Sequence, residues 1–235
     1  MYQIKQDGYF GFVRKEIAPL LPKYSPNVLE VGCGEGKTLQ WLKDCGRAGK
    51  ISGIELNLDA AEIAFKHLDK VYGGDANLHL KHIPLETQDM VLCLDVIEHM
   101  QDPWETVQRI YDLLRPGGSL ILSVPNVRHY SVLLPLLFKD KWNYTEAGIM
   151  DKTHLRFFSG KSAMEMLKKS GFTPKGIRST YVWGNRDKWI DIATLGLLKG
   201  FLSFQYLICV EKPLLQKQQD AMPDSSPQKA IACPI

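Results

Sequence analysis

The chain has 235 residues, enough for one sizeable α/β domain and too few for two complete ones. Its composition, 45% hydrophobic and 23% charged, is that of an ordinary globular protein, and a formal charge of +3 is too mild to mark a nucleic-acid binder. The start, Met1-Tyr-Gln-Ile-Lys-Gln-Asp7, has no apolar signal core, and the apolar stretch 192–210 is interrupted by Lys199, so neither secretion nor a membrane span is expected.

Residues 9–24 read as a leading helix ending near Pro22. Short apolar runs then alternate with helical patterns. Val28–Val31, Ile51–Leu56, Asp89–Asp95 and Ser119–Val124 read as strands, and Thr38–Asp44, Asp59–Leu68 and Pro103–Leu114 as helices. Asp102 caps the helix that Pro103 opens, and Arg115-Pro-Gly-Gly118 stops it. A third strand is expected before Asp89, with Leu78–His82 as a degenerate remnant. This rhythm predicts a doubly wound, mostly parallel α/β sheet with helices on both faces.

Residues 126–158 break the rhythm with an apolar cluster, Val132 to Phe138, and a polar loop, as a lid inserted after the fifth strand would. A helix over Lys161–Ser170 follows. Strands over Ile177–Trp183 and Phe201–Glu211 complete a seven-stranded sheet as antiparallel neighbours, joined through a Trp189–Lys199 helix. Residues 1–212 are thus one domain, and 213–235, rich in Gln, Pro, Ser and Lys, read as a disordered tail. The five cysteines lack CxxC spacing, so no zinc site or disulfide framework is implied, and a cytoplasmic location fits best.

The strongest local signal is Val28-Leu-Glu30-Val-Gly32-Cys33-Gly34-Glu-Gly36, an apolar strand running into three glycines spaced by single residues. Glycine lets the main chain turn tightly and approach a ligand at the carboxyl end of a strand. A dinucleotide loop would read G-x-G-x-x-G, and a phosphate loop would place four residues between its glycines. Neither spacing fits, and Glu30 suits a ligand bearing an ammonium or sulfonium better than a pyrophosphate. Nineteen residues past Gly36, Glu55 ends the second strand, where an acid can accept both hydroxyls of a ribose, and Leu56 can pack on an adenine.

Taken together, Glu30 to Gly36, Glu55, Gly74-Asp75-Ala76, Asp89 to His99 and Leu114 to Gly118 resemble the class I S-adenosylmethionine (SAM)-dependent methyltransferases over residues 28–125. The resemblance implies SAM as cofactor, with its methionine part on Glu30, Gly32, Cys33, Gly34 and Gly36. It places the ribose on Glu55 beside Leu56, the adenine by Asp75 and Ala76 after a short strand at residues 69–72, and Asp95 and Val96 along the same cleft.

Transfer to a hydroxyl needs alignment, exclusion of water and a base, for which a histidine is suited. His99 follows the fourth strand, and His154 lies in Asp151-Lys-Thr-His154-Leu-Arg-Phe-Phe158 just past the lid; these two are the candidate catalytic residues. Asp95, Glu98, His99 and His154 together resemble the acidic-acidic-His set of small-RNA 2′-O-methyltransferases and ubiquinone-pathway enzymes. A divalent metal is therefore an option, though most relatives with Glu-His here are not known to need one. The expected reaction is methyl transfer to a hydroxyl of a small molecule; a saccharide is among the candidates because 148–158 resembles methyltransferases of polysaccharide assembly, and a lipid-linked acceptor because exposed lid leucines would suit one. An RNA 2′-O-methyltransferase and a non-catalytic SAM-binding partner subunit are the alternatives. Exposed lid leucines would allow peripheral membrane contact, no nucleic acid is expected as partner, and the oligomeric state is open.

Overall fold

A computed structural model describes residues 10–182 and 185–214. The apolar runs form β1 (Ser25–Val31), β2 (Ala48–Glu55), β3 (Lys70–Gly73), β4 (Gln88–Leu94), β5 (Leu114–Pro125), β6 (Thr173–Thr180) and β7 (Gln205–Glu211). The helices are α1 (Lys37–Asp44), α2 (Leu58–Ala64), α3 (Ala76–Leu80), α4 (Pro103–Leu113), α5 (Tyr130–Lys139), α6 (Gly160–Lys169), α7 (Asn185–Ala193) and α8 (Lys199–Leu202). The strands make one seven-stranded sheet in the order β3-β2-β1-β4-β5-β7-β6. Strands β1 to β5 are parallel, and β7 runs antiparallel to both β5 and β6. This is the mostly parallel sheet that the alternating pattern predicts.

Helices cover both faces because the inner strands are apolar on both. Leu29, Val31, Val91 and Leu120 meet Val107, Ile110 and Leu113 of α4 and Ala163 and Leu167 of α6 in one core. Val28, Ile51, Met90 and Leu92 meet Ile17, Leu39, Leu42 and Ala64 in the other. Strand order reverses between β1 and β4, which opens a crevice beyond their carboxyl ends, where sheets of this kind bind ligands. The cap on α4 is as expected: Asp102 accepts from the Glu105 N–H at 2.9 Å.

Several boundaries differ from the sequence pattern. The leading helix shrinks to one 3-10 stretch, Lys15–Leu20, because Pro19 and Pro22 leave no room for a longer ladder. The third strand is Lys70–Gly73, and Leu78–His82 is not a strand remnant, since α3 occupies it up to Leu80. As an edge strand paired only to β2, β3 needs little apolar character, which is why it is faint in the sequence. Strand β6 starts four residues before Ile177 and ends at Thr180, with Trp183 outside the described residues; β7 begins at Gln205 because 199–202 form α8. The lid carries α5 and then an irregular loop. Beyond Leu214 the expected tail lies outside the described residues. Cys33, Cys93 and Cys209 are free and buried. Among the described residues no helix is long and apolar enough to cross a membrane.

Candidate active site

The glycine loop leaves β1 at the centre of the sheet. Gly32, Gly34 and Gly36 have φ of +74°, +54° and +77°, a region that costs other residues energy. A side chain at Gly32 would strike Val96, and one at Gly34 the Phe10 carbonyl, each at 2.5 Å. The loop amides are occupied: Gly32 and Cys33 N–H donate to Ile54 O at 2.8 and 3.1 Å, Glu35 to Phe10 O at 2.9 Å and Gly36 to Cys33 O at 2.9 Å. Gly34 N–H donates to Glu55 Oε2 at 2.8 Å. A phosphate cradle presents such donors to its anion, and this loop presents none from Gly32 to Gly36. The Cys33 side chain packs toward Gly53, away from solvent.

Glu30 sits under the loop, 3% exposed, with no hydrogen-bond partner for Oε2 among the described residues. Burial pushes its carboxyl from 4.5 up to about 8; nearby Arg14 opposes that rise and Glu55 adds to it. A buried carboxyl short of a partner draws a cation. Arg14, outside the sequence-based set, lies beside it. Its guanidinium donates to Asp95 Oδ2 at 2.8 Å and to Glu16, and its main-chain N–H to Thr38 Oγ1 at 3.2 Å. Asp95 is the left-handed residue that ends β4, φ +56°, and it also accepts from Ser123 Oγ at 2.7 Å and from Gln205. Its carboxylate therefore holds the cleft wall together.

Glu55, 6% exposed, binds the Gly34 and Asn57 N–H groups at 2.8 and 2.9 Å. Burial raises its pKa, against those two N–H groups and that of Leu56. Leu56 beside it is half exposed. The ends of β2 and β3 meet through Gly74 N–H to Glu55 O, 2.8 Å, which brings Asp75 to the same rim. Asp75 caps α3 through the Asn77 N–H at 2.8 Å, an exposed carboxylate beside buried Ala76.

After Asp95 and Val96 a 3-10 turn, Ile97–His99, presents Glu98, 1% exposed, and His99. The lid loop docks on this turn: Leu155 and Arg156 N–H donate to Glu98 O at 2.8 and 2.9 Å. That contact brings His154 to His99, ring centroids 4.7 Å apart and edge-on. Each ring has Nδ1 on a carbonyl, His99 on Thr153 O at 3.1 Å and His154 on Ile149 O at 2.9 Å. A carbonyl only accepts, so Nδ1 donates in each ring, and in the neutral tautomer the lone pair lies on Nε2. Phe157 continues the wall at 6.4 Å from His154, with Trp142 and Tyr144 against it at 5.3 and 6.2 Å. Glu98, His99 and His154 offer donor atoms within 4.8 Å of one another, a carboxylate and two imidazoles of the kind divalent cations accept. Asp95, expected in that set, is held by Arg14 and Ser123 instead.

A family model described as a methyltransferase domain matches residues 6–175. The chain belongs to the class I SAM-dependent methyltransferases. Ubiquinone biosynthesis O-methyltransferase of Psychrobacter arcticus is 28% identical over 159 residues, 64% of this chain and 60% of that relative, so the chain spans less than two thirds of its length. The same enzyme of Hydrogenovibrio crunogenus is 29% identical over 182 residues, 71% of this chain and 73% of its own. A SAM-dependent methyltransferase from Archaeoglobus fulgidus superposes with a TM-score of 0.63 at 20% identity, covering 85% and 91% of the two chains, which shows the fold.

The sequence-based residues gather about the carboxyl ends of the parallel strands: Glu30 and the three glycines at β1, Glu55 and Leu56 at β2, Asp75 after β3, and Asp95, Val96 and His99 after β4, with His154 brought to His99 by the lid loop. Arg14 escaped the sequence reading because it sits in a segment with no motif, and only the packing of residues 10–21 over the glycine loop reveals it. Thr153 lies inside the Asp151–Phe158 motif but escaped because its partner in space, His99, is 54 residues away.

Proposed function

We propose that this chain transfers the methyl group of SAM to a hydroxyl of a small molecule, most simply a phenol. The observation that carries the reading is the His99–His154 pair at the turn after β4, where Val96 lies against Gly32 of the glycine loop and its carbonyl accepts from the His99 N–H at 3.0 Å. Glu30 takes the cationic methionine end of the cofactor, Arg14 its carboxylate, and Glu55 the ribose hydroxyls after releasing the Gly34 N–H. The loop's occupied amides argue against a dinucleotide. In the step itself the acceptor oxygen loses its proton to His99 Nε2 and attacks the methyl carbon. The carbon–sulfur bond breaks with its electron pair going to sulfur, leaving S-adenosylhomocysteine. His154 borders the same space and orients the acceptor.

The relatives' names favour a small-molecule hydroxyl over the saccharide or lipid-linked acceptor expected from residues 148–158. The aromatic wall of Phe157, Trp142 and Tyr144 suits a flat ring. Sulfonium chemistry already activates the carbon, so Glu98, His99 and His154 serve without a metal in this reading. The outer face of the lid supports peripheral membrane contact: Leu137 and Phe138 are 71% and 78% exposed beside Lys139 and Lys141. The test is a catechol, 3,4-dihydroxybenzoate, with methyl-labelled SAM and wild-type and His99→Gln protein. Transfer by wild type and a fall of about a hundredfold or more in kcat for the variant, with SAM affinity kept, are expected. An equally active His99→Gln removes the base assignment.

A further inference from the structure

The lid loop does more than cover the histidines. Asp151 is 3% exposed, and its Oδ1 accepts from both the Thr153 N–H at 2.8 Å and the Thr153 hydroxyl at 2.6 Å. With its proton directed at Asp151, the Thr153 oxygen is an acceptor on its other side. There the His99 ring meets it, Nδ1 to Oγ1 3.2 Å, in the same fork that reaches the Thr153 carbonyl at 3.1 Å. Carboxylate, hydroxyl and imidazole thus stand in line, with donors and acceptors alternating consistently. The loop cannot drift from His99, because the next two amides are tied to Glu98 O and His154 N–H closes on Asp151 O at 2.9 Å.

We propose that Asp151 and Thr153 are positioning residues that act on His99 as a carboxylate–hydroxyl–imidazole relay. The proposal rests on the reading of His99 as base. The Thr153 carbonyl alone fixes the tautomer. The hydroxyl adds a path by which the Asp151 charge stabilises the imidazolium formed when Nε2 takes the acceptor's proton, as the aspartate of a hydrolase triad does directly. When Nε2 becomes N–H, Nδ1–H keeps both its acceptors, Thr153 keeps its proton on Asp151, and no atom of the relay changes partner. A turn that merely shaped the lid would need Asp151 and the Thr153 amide, but would be indifferent to whether residue 153 carries a hydroxyl.

Thr153→Val keeps the carbonyl and the β-branch and deletes the hydroxyl. Thr153→Ser restores it, and Asp151→Asn keeps an oxygen acceptor for Thr153 while removing the charge. With 3,4-dihydroxybenzoate as acceptor, Thr153→Val and Asp151→Asn are expected to lose ten- to a hundredfold in kcat, with KM for SAM within twofold of wild type, and Thr153→Ser to return most of the rate. His99→Gln runs beside them. If it is inactive while Thr153→Val and Asp151→Asn, folded and binding SAM normally, keep the wild-type kcat, the relay is wrong and the base stands. If His99→Gln is fully active, the base reading has failed first. A measurement independent of turnover is the ring-nitrogen NMR spectrum of His99 in the protein saturated with S-adenosylhomocysteine. Nδ1 protonated and Nε2 bare is expected, and the opposite tautomer overturns the proposal.

Discussion

Glu30→Gln separates two consequences of one buried carboxyl. In the free protein burial lifts Glu30 from 4.5 to about 8, so at neutral pH it holds its proton and the unfolded chain does not. A folded-state pKa above the unfolded value means stability is full below about 4.5 and falls as pH rises toward 8, by up to tenfold in the folding constant per pH unit. Over that window the loss has a ceiling of about 5 kcal/mol. Glutamine keeps the shape and cannot ionise, so the variant escapes this penalty. Thermal denaturation from pH 5.5 to 9 should show the wild-type midpoint dropping more steeply than that of the variant, with the variant the more stable at pH 9. SAM reverses the ranking: a cation at Oε2 favours the ionised form, so the wild type binds more tightly and releases a proton on binding below pH 8. Calorimetry in buffers of different ionisation enthalpy measures that proton. Parallel stability curves, together with no proton release, would refute the argument that Glu30, whose Oε2 has no hydrogen-bond partner among the described residues, awaits the cofactor's charge.

On the proposed reading Glu55 accepts the ribose hydroxyls, so Glu55→Ala, which also frees the Gly34 amide, should lower affinity for SAM and for S-adenosylhomocysteine at least tenfold by calorimetry. Gly34→Ala puts a methyl 2.5 Å from the Phe10 carbonyl at a φ of +54°, and should cost at least about 1 kcal/mol in urea denaturation as well as most SAM binding. Activity should survive excess EDTA followed by desalting; loss that Mn²⁺ or Zn²⁺ restores would turn Glu98, His99 and His154 into a metal set. Vesicles rich in anionic lipid should sediment the wild type and leave Leu137→Ser/Phe138→Ser in solution, as exposed apolar side chains beside lysines predict.

The sequence alone determined the sheet and the glycine loop, because both are local. Strand–helix alternation and the Asp102-Pro103 start are short-range physics; the helix ends at Leu113, just ahead of the Arg115-Pro-Gly-Gly118 stop, which lies within β5. Gly32, Gly34 and Gly36 announce a backbone that only glycine takes without strain. Glu30 and Glu55 are legible for the same reason, each fixed by its distance from that loop. The edge strand β3 was faint because an edge with one neighbour needs few apolar residues. What only the tertiary structure decided is which distant groups share the crevice. Arg14 and Asp95 are 81 residues apart, and Thr153 and His99 are 54; they meet because crossovers return the chain to one end of the sheet and the lid loop bonds to the Glu98 turn. No periodicity or motif encodes such contacts. They follow from packing two chain segments against the same surface, and packing is a property of the whole fold.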